Sequence, residues 1–266
     1  MLKTRILTGA MLTVIIALTI IFSHIPWVLK VAALCISLQS VYELYRVNKL
    51  YDNKRLYYVS CLITLILYFI NIPGYPYIIA VFFIASLIFF TYLMLNMKSI
   101  TNIKPAITFV VGVVIAVFFN SMSAIRTMNN GLYLLLAAVL VSVITDIAAY
   151  FVGKGFGKHK LAPVISPKKT IEGSIGGIVF STLILMIIAY ILHANNVVTV
   201  DFGIGAMYLI LASIIGQFGD LSMSVIKRIN KTKDYGSLLP GHGGILDRFD
   251  SLLFVLPFTC LFFCLI

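Results

Sequence analysis

Of the nine carboxylates in this 266-residue chain, seven stand in the last 121 residues. Asp220, Ser224 and Lys227 are spaced i, i+4 and i+7, so a continuous helix would carry all three on one face. Asp247, Asp250 and Ser251, at i, i+3 and i+4, repeat the arrangement. Between the two groups lies a turn-rich stretch with Gly236, Pro240, Gly241, His242, Gly243 and Gly244, whose backbone can approach a ligand closely and offer free N–H groups. Further upstream, Asp146 precedes a basic run with Gly153, Gly155 and Gly157, followed by Ser166, Lys168, Lys169, Thr170 and Glu172. Hard oxygen donors gathered beside Lys and Arg suit a divalent cation bridging to phosphate. Lysines and Ser/Thr hydroxyls suit the phosphate oxygens themselves. Plain ion pairing is the alternative, and for Asp250 a favourable interaction with the helix dipole alone would suffice. Asp52 and Asp201 read as solvated loop charges, and His24 and His193 as interfacial residues. The three glycines fit neither a dinucleotide loop nor a Walker A frame, because no strand is expected before them, the third glycine is misplaced and no lysine holds the required position.

The elements that must hold these residues follow from composition. With 61% hydrophobic and 11% charged residues and a mean hydropathy of +1.06, the chain has too little polar surface for a soluble domain. The net charge of +11 would suggest nucleic acid in a soluble protein. Here it reads as basic loops beside a membrane, with no nucleic-acid partner. Apolar runs at 6–22, 27–46, 56–71, 75–96, 105–121, 131–152, 173–192, 203–222 and 246–265 predict an all-α polytopic integral membrane protein of about nine transmembrane helices. The third and fifth runs are short, the second carries Lys30 and Glu43, and one span could be re-entrant. The apolar N-terminus behind Lys3 and Arg5 reads as a retained first span rather than a cleaved signal. Eighteen of the 20 cations fall in alternate connections, which predicts a cytoplasmic N-terminus and a C-terminus outside.

The chain divides into an N-terminal region, 1–121, of about five spans and a C-terminal catalytic region, 122–266, of about four spans with basic cytoplasmic loops at 153–172 and 223–247. Asp146, Glu172, Asp220, Asp247 and Asp250 are then expected at one depth, just inside the cytoplasmic face. Charges so placed are costly unless they are used. The four cysteines lie in apolar runs without zinc-site spacing and read as packing residues. The small-residue face at 173–177 permits close helix packing, within the chain or in a homodimer.

The stretch 224–250, SVIKRINKTKDYGSLLPGHGGILDRFD, resembles the signature of the phosphatidate cytidylyltransferase (CDP-diacylglycerol synthase) family. That signature reads S-x-x-K-R, four residues, K-D-x-G, then P-x-H-G-G-x-x-D-R-x-D. All thirteen fixed positions are filled, by Ser224, Lys227, Arg228, Lys233, Asp234, Gly236, Pro240, His242, Gly243, Gly244, Asp247, Arg248 and Asp250. The stretch from Asp146 through KLAPVISPKKTIEG is similar to the family as well, departing from its pattern at Ile147 and Ala148. The first five spans resemble it only in length and hydropathy.

The resemblance implies transfer of a cytidylyl group from CTP to phosphatidate on the cytoplasmic leaflet of a bacterial-type cell membrane, with Mg²⁺ as one or two cations. It favours Asp220 and Asp247 as metal ligands, with Asp146 and Asp250 in support. Lys227, Arg228, Lys233 and Arg248 would neutralise the CTP or lipid phosphates, and Ser224 would fix a phosphate oxygen or the metal. His242 with the Gly243 and Gly244 backbone would shape the triphosphate site, and Lys168 and Lys169 would meet lipid or nucleotide phosphate.

Other readings are a CTP-dependent enzyme acting on another lipid phosphate or a polyprenol, a secondary transporter, and a purely structural anchor. A transporter predicts mid-span charges in paired halves, whereas these acids gather at one face. Asp220→Asn and Asp247→Asn are each expected to lower turnover at least about 100-fold in protein that still inserts. Near-normal rates in either variant would refute the assignment.

Overall fold

A computed structural model describes residues 2–51, 54–69, 75–95, 104–241 and 243–265. Within them are nine α-helices: α1 (Leu2–Ile21), α2 (Pro26–Val47), α3 (Lys54–Phe69), α4 (Tyr75–Leu95), α5 (Lys104–Arg126), α6 (Gly131–Phe156), α7 (Ile171–Ala194), α8 (Phe202–Ile229) and α9 (Leu246–Leu265). A backbone in hydrocarbon must satisfy its own hydrogen bonds, which selects helices for these apolar runs. Eight are long and apolar enough to cross a membrane. The other, α3, counts 16 residues among those described.

The expected loop at 153–172 contains an antiparallel hairpin, β1 (Lys160–Ala162) with β2 (Ser166–Thr170), pairing Lys160 with Thr170 and Ala162 with Ser166. The hairpin leads directly into α7, where Thr170 is the N-cap and its Oγ1 accepts the Gly173 N–H at 3.1 Å. Asp201 likewise caps α8, accepting N–H groups of Gly203 and Ile204 at 2.9 and 3.0 Å. That cap gives the expected loop charge a definite task.

Helices α5, α8 and α9 form the buried centre, while α1 and α7 leave most of their apolar surface outward. The Phe254 ring on α9 meets Phe90 of α4, Phe118 of α5 and Phe218 of α8 at centroid distances of 5.4–5.8 Å, all edge to face. Hydroxyl pairs lock neighbouring helices: Tyr45 with Ser60 at 2.6 Å, Thr145 with Ser213 at 2.9 Å, and Tyr208 with Thr259 at 2.8 Å. In lipid such pairs replace the hydrophobic drive that would hold helices together in water.

The small residues at 173–177 are used inside the chain, against α6. A Cβ on Gly176 would lie 2.6 Å from Val152 Cγ1, and one on Gly177 3.0 Å from the Thr145 carbonyl. This contact brings the hairpin and the start of α7 against the end of α6. Gly176→Leu should therefore destabilise the detergent-solubilised protein by about 1–3 kcal/mol, as overpacking does. A reduced thermal midpoint would register it, and an unchanged midpoint would mean the two helices do not pack this closely.

Candidate active site

The charged residues meet at the end of the bundle where α2, α6 and α8 finish and α5, α7 and α9 begin. Helix α8 continues to Ile229, past the apolar run that ends at 222, so Asp220, Ser224 and Lys227 share one stripe. Ser224 Oγ donates to Asp220 Oδ1 at 3.3 Å. The Lys227 side chain is only 9% exposed, and its ammonium donates to Asp247 Oδ1 at 2.9 Å, with Asp250 Oδ2 at 3.8 Å. A cation buried to this degree is tolerable only with such partners. It also lies 5.3 Å from the centroid of the Tyr235 ring.

Helix α9 presents Asp247 and Asp250 from its first turns, and α6 contributes Asp146, whose Oδ2 accepts the Ser251 hydroxyl at 3.2 Å. Asp146, Asp220 and Asp250 interact electrostatically with one another, and Lys169 of β2 pairs directly with Asp220. Three neighbouring carboxylates repel unless cations stand among them, and here Lys169 and Lys227 do so. Glu172 is turned away from this group. Its carboxylate takes the backbone N–H groups of Lys158 and His159, and its Oε1 lies 2.6 Å from His159 Nδ1, which closes the hairpin.

A cleft of about 310 Å³ opens beside the carboxylates. Asp146, Asp220, Lys154, Lys168, Lys169 and Tyr150 are among its lining residues. Its lining therefore brings basic and acidic groups together, which suits a phosphate with an accompanying cation.

Asp247 stands differently. Its Oδ1 takes Lys227, and its Oδ2 accepts the N–H groups of Tyr235 at 2.7 Å and Gly244 at 2.9 Å. A metal at Oδ1 would have to displace the ammonium. Arg228 spans the hairpin and the loop after α8, donating to the Ile165 carbonyl from Nε and to the Thr232 carbonyl from Nη1, both at 2.9 Å. Lys233 and Arg248 are exposed. Gly243 adopts φ +89°, a conformation that favours glycine, and its N–H and C=O pair with Leu239. His242 lies outside the described residues.

The whole chain from residue 3 to 266 matches the model of the cytidylyltransferase family. The chain belongs to that family. A Bacillus subtilis (strain 168) relative named phosphatidate cytidylyltransferase is 35% identical over 267 residues, covering 96% of this chain and 95% of its own length. Proteins of the same name from Staphylococcus aureus (strain COL) and Staphylococcus haemolyticus (strain JCSC1435) are 48% and 49% identical over 132 and 135 residues, about half of each chain. Family membership thus extends over the N-terminal spans, where the sequence motifs were silent.

In this cytidylyltransferase, sequence reasoning missed two residues that shape the site. Glu43, in α2, is 1% exposed and accepts the N–H groups of Ile245 and Leu246, both at 2.9 Å. The only signal was an acid inside an apolar run, which is itself a reason to look for a use. Tyr235, whose N–H binds Asp247, is buried, and its hydroxyl donates to the Met223 carbonyl at 2.8 Å. Burial first, and then the surrounding carboxylates, push its phenol well above the ordinary tyrosine range, so it keeps its proton.

Lys227→Met should break the buried pair and cost about 3–5 kcal/mol of stability, seen as a lower thermal midpoint. Lys233→Met, at an exposed position, should leave the midpoint within about 0.5 kcal/mol of wild type. Equal midpoints for the two variants would show that Lys227 is not held between carboxylates.

Proposed function

We propose that this chain transfers the cytidylyl group of CTP to phosphatidate, giving CDP-diacylglycerol and pyrophosphate for phospholipid biosynthesis. One observation carries the reading: a fully filled signature, 224–250, that wraps a buried Lys227 between carboxylates, in a chain matched over nearly its whole length by a relative of that name. A phosphatidate oxygen would attack the α-phosphorus of CTP, and the bond from that phosphorus to the bridging oxygen of the β-phosphate would break. The lipid phosphate is already a competent nucleophile, so no serine or cysteine needs activation. The difficulty is bringing two polyanions together.

The donor set fits Mg²⁺. Among the described residues no three His, Cys, Asp or Glu form a ready-made metal cage, and Mg²⁺ typically takes one or two carboxylates together with substrate phosphates. Asp220 with Asp146 or Asp250 offers such a pair beside the cleft, and Asp247 offers Oδ1 in exchange for Lys227. When bound, Mg²⁺ would draw charge from the phosphoryl oxygens. Lys168, Lys169 and Lys154 would hold phosphate at the cleft, Lys227 would share its charge with an arriving phosphate, and Ser224 would orient an oxygen. Lys233 and Arg248 would meet the outer phosphates. Arg228 would keep the hairpin lysines in reach through Ile165.

CTP is soluble and phosphatidate is a membrane lipid, so the reading needs this end of the bundle to face the cytoplasm in a bacterial-type cytoplasmic membrane. The alternation of basic connections supports that orientation, with the N-terminus inside and the C-terminus outside.

Purified protein given phosphatidate, Mg²⁺ and CTP labelled at the α-phosphate should place the label in CDP-diacylglycerol and release unlabelled pyrophosphate, and chelation of Mg²⁺ should stop turnover. Transfer of γ-label to a lipid alcohol would overturn the reaction assigned here.

A further inference from the structure

The segment 230–245 joins α8 to α9 and carries most of the signature, yet both of its ends are fastened to one helix of the N-terminal region. At the α8 end, Asn230 Nδ2 donates to Asn48 Oδ1 at 2.6 Å, and Lys104 Nζ donates to Asn230 Oδ1 at 3.1 Å. Asn48 is the C-cap of α2. At the α9 end, one turn back along α2, the two oxygens of Glu43 take the N–H groups of Ile245 and Leu246. These are N–H groups that the first turn of a helix leaves unsatisfied, and the positive end of the dipole favours a carboxylate there. Gln39 Nε2 donates to Glu43 Oε1 at 3.1 Å and holds the carboxylate in place.

Contact with the loop is tight as well. A Cβ on Gly244 would lie 2.3 Å from Glu43 Oε2, and one on Gly236 3.1 Å from Oε1. Glu43 therefore occupies the space against which the Gly236 and Gly244 backbones close. Gly244 in turn gives its N–H to Asp247. The chain of contacts runs from α2 through Glu43 to Gly244, then to Asp247 and Lys227.

We infer that Glu43 is a positioning residue for the nucleotide site: the N-terminal region sets the geometry of the CTP-binding loop through one buried carboxylate. It acts through the backbone of residues 244–246. Glutamine at this position keeps the size but turns an amide N–H₂ toward one of the two backbone donors, so only one of the two hydrogen bonds can persist. A small displacement of the loop is enough to matter, since about 1 Å of misplacement can cost on the order of 100-fold in rate.

The inference rests on the reading of 224–250 as the CTP site. Full-length wild-type protein that binds no CTP sinks that reading before any variant is compared. Given wild-type binding, Glu43→Gln should raise the KM for CTP and the half-activating Mg²⁺ concentration by about 10-fold or more, while the KM for phosphatidate stays within about twofold. Glu43→Asp, which keeps the charge, should lie between the two.

Unchanged KM values with kcat reduced only in proportion to the folded fraction would overturn the inference, because that is the signature of a merely structural contact. Should Glu43→Gln fail to fold, Gly244→Ala supplies the second route. It should show the same rise in the KM for CTP, and adding Glu43→Asp to it should relieve the rise by withdrawing the carboxylate from the new methyl. No relief in the double variant would equally overturn the inference.

Discussion

A buried ammonium between two carboxylates is the constraint around which this end of the molecule is built. Lys227 emerges from α8, and α9 must supply both Asp247 and Asp250 to it, so the two helices cannot slide or rotate relative to one another without exposing an unpaired charge. Three further arrangements follow from satisfying that cluster. Asp247 spends its second oxygen on two backbone N–H groups, which folds the connecting loop back over the pair. Asp250 and Asp220 lie close enough to need another cation, and the hairpin delivers Lys169. The hairpin in turn is held by Arg228, one residue after Lys227, through the Ile165 carbonyl.

The same constraint explains why helices of both regions are needed. The centre of the bundle is α9, which packs against α4 and α5 of the first region as well as α6 and α8 of the second, with Phe254 at the junction. A boundary near 121 is convenient along the chain, but the packing does not part there. The charged first turn of α9 is fixed at one end by Glu43 from α2, while its apolar body is fixed by aromatic contacts farther along. Together these turn a membrane helix into a rigid mount for two aspartates.

Much of this was legible in the sequence because helical periodicity is a local property. The spacing of Asp220, Ser224 and Lys227 needed only that α8 run past its apolar stretch, and it runs to Ile229. The hairpin was not legible, since strands of three and five residues rich in lysine show no alternation to detect. Glu172 was grouped with the other acids because it shares their depth, but depth along a helix does not fix where a side chain is aimed, and its oxygens go to Lys158 and His159. Glu43 was harder still. Its partners are backbone N–H groups some 200 residues away, and backbone groups leave no mark on residue identity.

What did leave a mark is the glycine content of 236–244. Two acidic side chains, Glu43 and Asp247, are both solvated by the backbone of one short loop, and each needs that backbone within hydrogen-bond reach. Side chains on the loop would stand in the way: at Gly244 a Cβ would collide with Glu43, and at Gly243 one would lie 3.0 Å from Asp247 Oδ2 on a backbone with positive φ. The glycines read at first as freedom to approach a phosphate are thus already occupied in approaching carboxylates. Both roles are compatible, because a loop whose N–H groups have been drawn inward to anions is held in one shape. On the proposed reading, a loop held in one shape beside the exposed Lys233 and Arg248 would meet a phosphate without first being ordered by it.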